Sequence, residues 1–350
     1  MKKITIAAAI LLLVQLGLVA FSQITNRKDM STSPETPFLA VKGEEVTGLT
    51  IIGDKDEKVI LEKRNGAWIL PETFDLPADQ KQATTLIDKL VALKQGFVVA
   101  SSREAAKRFQ VSEDSFVRHL VVHRNDTVAG DLFIGTSPAF RQVHARNAGS
   151  DDIVAVNLST YELETDSDKW LDKTLLQVSD KDLAGIEYAD FSLIRKKVEK
   201  KDSPSTWRLA EKDGENLDVT VAGELANAIT GLTITSVIDP QESSKIAIEK
   251  PELKFTVHTV NDTNLEYAFA QKDDNTFAVK RSDKELLFVV SKASVEQLKK
   301  YNRDALLVIQ PEAEPEPTAA AATETSAAEA VPAQSALPAV PPVPADPAGN

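Results

Sequence analysis

Gly66-Ala67-Trp68-Ile69-Leu70, running on to Leu76-Pro77-Ala78-Asp79-Gln80, decides the fold, because the chain says it a second time. Trp207-Arg208-Leu209 stands 139 residues after Trp68-Ile69-Leu70. The same offset pairs Glu72 with Glu211, Asp79 with Asp218, Ala83 with Ala222, Leu86 with Leu225, Leu93 with Leu232 and Val98 with Val237. Beyond that the offset shortens, as trimmed loops would make it. Asn125-Asp126-Thr127 then answers to Asn261-Asp262-Thr263, Phe133 to Phe269 and Val156 to Val289. Trp170…Leu175-Leu176 answers to Tyr301…Leu306-Leu307. A self-match kept in one order is the mark of a repeated architecture.

The local pattern says what is repeated. Leu49-Thr50-Ile51-Ile52 and Lys58 to Lys63 are strand-like runs, and Asn65-Gly66 is a tight-turn pair leading into the Trp68 strand. Asp79 is placed to accept hydrogen bonds from free first-turn amides, so it caps a helix. Ala83, Leu86, Ile87, Leu90 and Leu93 recur at helical spacing, and Gly96 closes the run. Strands are expected at Phe97 to Ala100, Val117 to His123, Ala129 to Ile134 and Ile153 to Val156, with a second helix from Ser159 to Trp170. The second copy has strands at Ile186 to Tyr188, Phe191 to Val198 and Trp207 to Leu209. A helix from Val219 to Ile229 follows, then strands near Thr233, Phe255, Tyr267, Phe277 and Phe288. A helix from Ser294 to Tyr301 ends it. Strands in runs, each followed by a one-striped helix, predict an α+β fold: two tandem copies of a mainly antiparallel sheet with helices on one face.

The ends have a different character. Lys2-Lys3 precedes an uncharged, largely apolar stretch from Ile4 to Phe21. Its length favours a transmembrane anchor over a cleaved signal peptide, for which Ala20-Phe21-Ser22 would be the cleavage site. The two lysines then stay cytoplasmic, and either reading exports the body. Residues 311–350 hold nine prolines, six acids and no base or aromatic residue, a composition that builds no core and predicts a disordered tail. The expected layout is an anchor over 1–25, a linker over 26–45, repeats over 46–178 and 179–310, and a tail over 311–350.

A formal charge of −13 opposes nucleic acid and anionic lipid as partners. The absence of cysteine excludes disulfides and thiolate metal sites. His119 and His123 have the spacing of a helical metal pair. Their segment reads as a strand, where four residues span about 13 Å, too far to share an ion. His123 and His258 occupy near-equivalent places in the copies. Asp180 to Gly185 imitates the start of a calcium loop, but Phe191 falls where its last ligand belongs. Asp54 to Glu57 is a hairpin tip. Trp68 and Trp207 are expected to be core, each under its following helix, as are Trp170 and Tyr301. The two Asn-Asp-Thr triplets are hairpin turns. No phosphate loop, nucleophile elbow or dinucleotide fingerprint occurs. No catalytic, cofactor or metal residue is therefore expected.

These residues resemble a bacterial family known as domain of unknown function 4340. The likeness rests on the N-terminal anchor, Gly66 to Leu70, Leu76 to Gln80 and Leu90-Val91-Ala92-Leu93-Lys94. It continues through Leu132-Phe133-Ile134-Gly135, Val143-His144-Ala145-Arg146, Ile153 to Val156 and Trp170-Leu171-Asp172-Lys173-Thr174-Leu175-Leu176. It spans about Val46 to Val308. His144 stands where such proteins often carry an aromatic residue. Members are often encoded beside ABC transporter subunits, including the gliding-motility type. The resemblance implies an accessory subunit with no catalytic residues to carry over. The expected function is a non-enzymatic scaffolding or binding protein on the inner membrane, its body in the periplasm, with ABC transporter subunits as partners. The alternative is an exported hydrolase or solute-binding subunit working in a cleft between the copies.

Overall fold

The computed structural model describes residue 15, residues 36–55, 57–196, 206–210 and 216–308. The expected anchor helix, residue 15 apart, and the C-terminal tail lie outside the described residues. Among those described, no helix is long and apolar enough to cross a membrane.

The first half opens with β1 (Gly48–Gly53), β2 (Lys58–Arg64), β3 (Ala67–Leu70) and β4 (Leu76–Pro77), then α1 (Gln80–Val91) and β5 (Val98–Ala100). A short insert follows: α2 (Arg103–Arg108), β6 (Val111–Ser112) and β7 (Ser115–Phe116). It closes with β8 (Arg118–Arg124), β9 (Thr127–Ile134), β10 (Val143–Asn147) and β11 (Ile153–Val156). The second half has β12 (Leu183–Glu187), β13 (Ser192–Lys196), β14 (Thr206–Leu209), α3 (Val219–Thr230), β15 (Ser236–Val237) and α4 (Pro240–Ser243). β16 (Leu253–Thr259), β17 (Asn264–Gln271), β18 (Thr276–Arg281), β19 (Phe288–Ser291) and α5 (Lys292–Lys299) complete it.

The fold is α+β, dominated by two large antiparallel sheets with β6-β7 as a small third. The first sheet runs β4-β3-β2-β1-β8-β9-β10-β11-β5. The second runs β14-β13-β12-β16-β17-β18-β19-β15. Apart from β4, the two follow one succession, with β1 and β12 in equivalent places. Asn65 and Gly66 both take positive φ, 53° and 85°, as a two-residue hairpin between right-twisted strands requires.

Each long helix forms and docks for the same local reasons. Asp79 accepts from Gln82 N–H at 2.9 Å, and Asp218 from Thr220 N–H at 2.9 Å. Helix α1 buries Ala83, Leu86, Ile87 and Leu90, and α3 buries Ala222, Leu225, Ala226 and Ile229, each 139 residues on. Each large aliphatic side chain so buried contributes about 1.5–3 kcal/mol. The start of each helix is tied down from afar. Asp79 N–H donates to the Trp170 carbonyl at 2.7 Å, and Asp218 N–H to that of Leu306 at 2.8 Å.

One hydrophobic cluster runs without a break from Phe38 to Leu306 and includes the inner faces of both sheets. Small clusters lie on the outer faces. Ala105, Ala106, Val111, Phe133 and Ile153 form the first, under the insert. Ile238, Ala278, Leu287 and Val289 form the second. Within the stretch read as linker, Phe38, Leu39 and Val41 are buried, and Phe38 N–H donates to the Leu93 carbonyl at 2.8 Å.

Several expectations need correction. The segment from Ser159 to Trp170 is two short 3-10 turns, Thr160–Glu162 and Ser167–Lys169, and not one helix. The Glu162 carboxylate folds back onto Ser159 N–H at 3.0 Å, and Asp166 starts a new turn, so the helical ladder breaks between them. Helix α1 ends at Val91 rather than near Gly96. The strand expected near Thr233 is the two-residue β15. The last helix covers Lys292–Lys299, not Ser294 to Tyr301.

The late repeat pairings are also shifted. Phe133 lies in an outer cluster and Phe269 in the core, so Ile134 is the true counterpart of Phe269. Val156 and Val290 face the core, whereas Val289 faces out. Trp170 answers to Leu306 through the shared carbonyl contact, not to Tyr301. A slip of one residue turns a strand side chain to the opposite face, which is why such pairings fail as a set.

The turn between β17 and β18 rests on one carboxylate. Asp273 accepts from the amides of Asn275 and Thr276 at 2.9 Å and from the Thr276 hydroxyl at 2.6 Å. The hydroxyl contact first, and the Asn275 amide next, hold its pKa down at about 2 from an ordinary 3.8. The stability this lowered value confers is complete above pH 3.8 and is lost as the pH falls through about 2. Carboxyl NMR titration should place Asp273 near the lower value, and Asp273→Asn should flatten the stability profile in that window. A midpoint at the ordinary value would mean the turn is not held this way.

Candidate functional site

The residues that drew attention in the sequence are mostly consumed by structure. His119 and His123 both lie on strand β8, as their geometry predicts. His119 Nε2 is 2.6 Å from Asp131 Oδ1, and its ring stacks on Phe133 at 4.5 Å. His123 sits directly opposite Gly48, and His258 opposite Gly185. A Cβ on either glycine would meet the facing histidine's Cβ and Cδ2 at 3.3–3.6 Å, so the same glycine–histidine pair recurs in both sheets. His258 is further bracketed by Asn264 at 2.8 Å and Glu187 at 3.0 Å. His144 is buried, stacks on Phe109 at 4.2 Å, and holds Thr136 through Nδ1 at 2.9 Å. Among the described residues, no three His, Cys, Asp or Glu side chains gather as a metal cluster. Asp180, from the imitation calcium loop, pairs with Arg195 at 2.6 Å.

The three tryptophans are 3%, 0% and 7% exposed at Trp68, Trp170 and Trp207. Each hairpin indole is faced by a cation from the neighbouring strand: Lys63 at 5.8 Å from the Trp68 ring and Arg195 at 5.3 Å from Trp207. Gln80 clamps the Trp68 backbone, accepting from its N–H at 2.7 Å and donating to its carbonyl at 2.8 Å. Both hairpins are core, as their repetition predicts.

The connection between the halves is filled. Leu171, Leu176 and Val178 are buried in the common cluster. Tyr267 donates its hydroxyl proton to the Leu176 carbonyl at 2.6 Å, and Ile234 N–H donates to that of Lys173 at 3.1 Å. The Lys173 ammonium reaches the carbonyls of Asp168 and Thr235. Burial lowers its pKa and raises that of the Asp168 carboxyl.

Several shallow concavities mark the described surface, and one of them lies in the first half. Lys89, Ala92, Leu93 and Lys94, at the end of α1, face Phe97 and Val99 beside β5 across a cleft of about 570 Å³. Gly96, Ala155, Val156, Gln142 and Asn157 complete its walls. Gly96 sets the shape: a Cβ there would come within 2.5 Å of the Ala155 carbonyl oxygen. Lys89 is held by Glu162 at 2.7 Å, and Gln142 donates to Asn157 at 3.4 Å. Phe97, Val98 and Val99 are 48%, 50% and 48% exposed. The sequence shows these only as an ordinary strand. The available signal was their lack of alternation: three apolar residues in a row, at a place where one face should be polar.

The family model described as a domain of unknown function (DUF4340) matches residues 68–251. No curated protein and no solved structure matches the chain.

Proposed function

We propose that this chain, which belongs to the DUF4340 family, is a non-enzymatic accessory or scaffolding subunit that works by binding through its outer surface. In this reading a single N-terminal helix (1–25) holds it on the inner membrane. A linker (26–45) leads to two copies of one ancestral unit (46–178 and 179–310) in the periplasm, and the Pro/Ala-rich acidic tail (311–350) follows. ABC transporter-type subunits are its partners, a proposal that extends the family resemblance.

The filled connection between the halves is the observation that supports the reading most. A hydrolase or solute-binding subunit would use a cleft there, since pockets favour the seams between units. The buried Leu171, Leu176 and Val178 occupy that place instead. The common strand order, the paired helix faces and the shared carbonyl ties support the doubling. The apolar stretch from Ile4 to Phe21 after Lys2-Lys3 supports the anchor.

Membranes washed with high salt and then dissolved in mild detergent provide the test. The full chain should stay with the membranes through the wash and elute from an affinity column together with transporter subunits. Release by salt, or elution alone, contradicts the proposal. N-terminal sequencing of the same sample should find the chain uncut before Gln23.

A further inference from the structure

We propose that the corner of the first sheet where the chain enters the body lies on the lipid bilayer, with Phe97, Val98, Val99 and the turn at Phe140 in its headgroup layer. The inference rests on the membrane-anchored reading and says which face of the body the anchor brings to the membrane.

The point of entry selects the face. The Thr36 carbonyl accepts from Gln95 N–H at 2.9 Å, and Pro37 bridges to Lys94. The chain thus comes in two residues short of Phe97. In sequence, Thr36 stands fifteen residues after Phe21, where the apolar stretch ends. Fifteen residues span about 20 Å as a coil and at most about 54 Å drawn straight. On so short a tether, the surface around Thr36 is the one held nearest the bilayer.

That surface is apolar where it is open. Phe97, Val98 and Val99 are about half exposed, and a run of that kind is a fault in a surface that meets only water. Strand register adds a second feature at the same corner. Val143 pairs with Val156, and Gly96 lies against the Ala155 carbonyl. The turn that precedes Val143 therefore projects from the end of the sheet at which Thr36 sits. Its tip is Phe140, 86% exposed.

The tip is a built protrusion. The Ser137 hydroxyl lies 2.8 Å from the Ala139 carbonyl and 2.6 Å from that of Gln142, and Gln142 N–H donates to the Ala139 carbonyl at 3.1 Å. The Arg141 guanidinium sits 5.1 Å from the Phe140 ring. Such a pair suits the membrane boundary: the ring leaves water, and the guanidinium stays with the headgroups.

Charge permits the contact. Residues 36–42, 94–99 and 136–142 contain no Asp or Glu, in a chain of net charge −13. Asp54 and Glu57 follow β1 at this end of the sheet, three strands from β10, which confines the contact to the corner. The attraction is apolar, so it needs no anionic lipid.

The full 350-residue chain, reconstituted into phosphatidylcholine vesicles, tests this. Its three native tryptophans are buried, so a tryptophan added at the surface is read against a shielded background. Phe140→Trp and, separately, Val98→Trp are the reporters. Val128→Trp is the control, because Val128 is 59% exposed and lies at the opposite end of β9 from the Phe140 turn. Side chains of a surface contact reach about 5–10 Å into the boundary, within range of bromines carried high on the lipid chains. Both reporters should shift to the blue on reconstitution and lose emission when brominated lipid replaces ordinary lipid. The control should do neither. Flotation with the vesicles but no quenching at Phe140→Trp, none at Val98→Trp, or equal quenching at Val128→Trp removes the surface contact and leaves the anchor. A chain that does not float with the vesicles removes the anchor and this proposal together. A blue shift that grows with protein concentration in detergent assigns the patch to a second copy, and one that requires an added transporter subunit assigns it to that partner. Either overturns the proposal.

Discussion

Gly135→Ala should destabilise the body by more than about 3 kcal/mol, beyond the ~1–3 kcal/mol usual for an overpacked site. Gly135 follows β9 where the loop between α2 and β6 crosses it. A Cβ built there falls 1.9 Å from the Phe109 carbonyl oxygen and 2.5 Å from that of Gln110. Both are backbone atoms, so no rotamer change relieves the clash. The loop cannot simply move off. Thr136 N–H donates to that same Phe109 carbonyl at 2.9 Å, and the Phe109 ring stacks on buried His144. Lifting the loop also uncovers the outer cluster around Val111, Phe133 and Ile153. Thermal melting reads the effect, at roughly 2–4 °C per kcal/mol for a body of this size. A variant that melts with the parent would mean that the insert does not seat on β9 as described.

Trp170→Ala should cost about 3–5 kcal/mol, the range for removing a large buried aromatic side chain. Trp170 is fully buried, and its indole N–H donates to the Glu164 carbonyl at 2.9 Å. Its own carbonyl holds the start of α1 through Asp79. Trp170→Phe should cost less, because it keeps most of the packing and gives up the indole hydrogen bond. The second half supplies a control. The structure equates Trp170 with Leu306, which is fully buried, whereas the sequence pairing equates it with Tyr301, which is partly exposed. Leu306→Ala should therefore destabilise by about 2–5 kcal/mol, and Tyr301→Ala by less. Urea unfolding of the Leu306→Ala and Tyr301→Ala variants decides the matter. A larger loss at Tyr301 would restore the sequence pairing.

How much of this was legible depended on whether spacing survived. From Trp68 to Val98 the repeat has no gap, so the hairpin, the capping aspartate and the buried face of α1 could be read and transferred to α3 residue by residue. Past Val98 the strands carry irregularities of register, one at Val98–Ala100 and another between Val122 and His123. Each changes the count by a residue without changing the topology. Matching hydrophobic letters then slides by one, and Phe133 is equated with Phe269 although they face opposite ways. The Ser159 to Trp170 stretch failed for another reason. Its polar residues cap two short turns, a choice made by side chain–backbone hydrogen bonds that apolar spacing does not encode. The cleft was invisible because exposure is not a local property. Val98 and Val237 are matched in sequence, yet Val98 is half exposed whereas Val237 packs against the common core.

That both halves share a single core is the claim from which the rest proceeds, and the tryptophans can test it directly. Two variants, one keeping only Trp68 and the other only Trp207 with phenylalanine at the remaining tryptophans, place a lone reporter in each half. Urea titration followed by indole fluorescence and by far-ultraviolet circular dichroism should give, in each variant, two coincident transitions from a blue-shifted native emission. A fluorescence transition that separates from the dichroism in either variant, or a native emission already open to iodide quenching, would contradict the shared core.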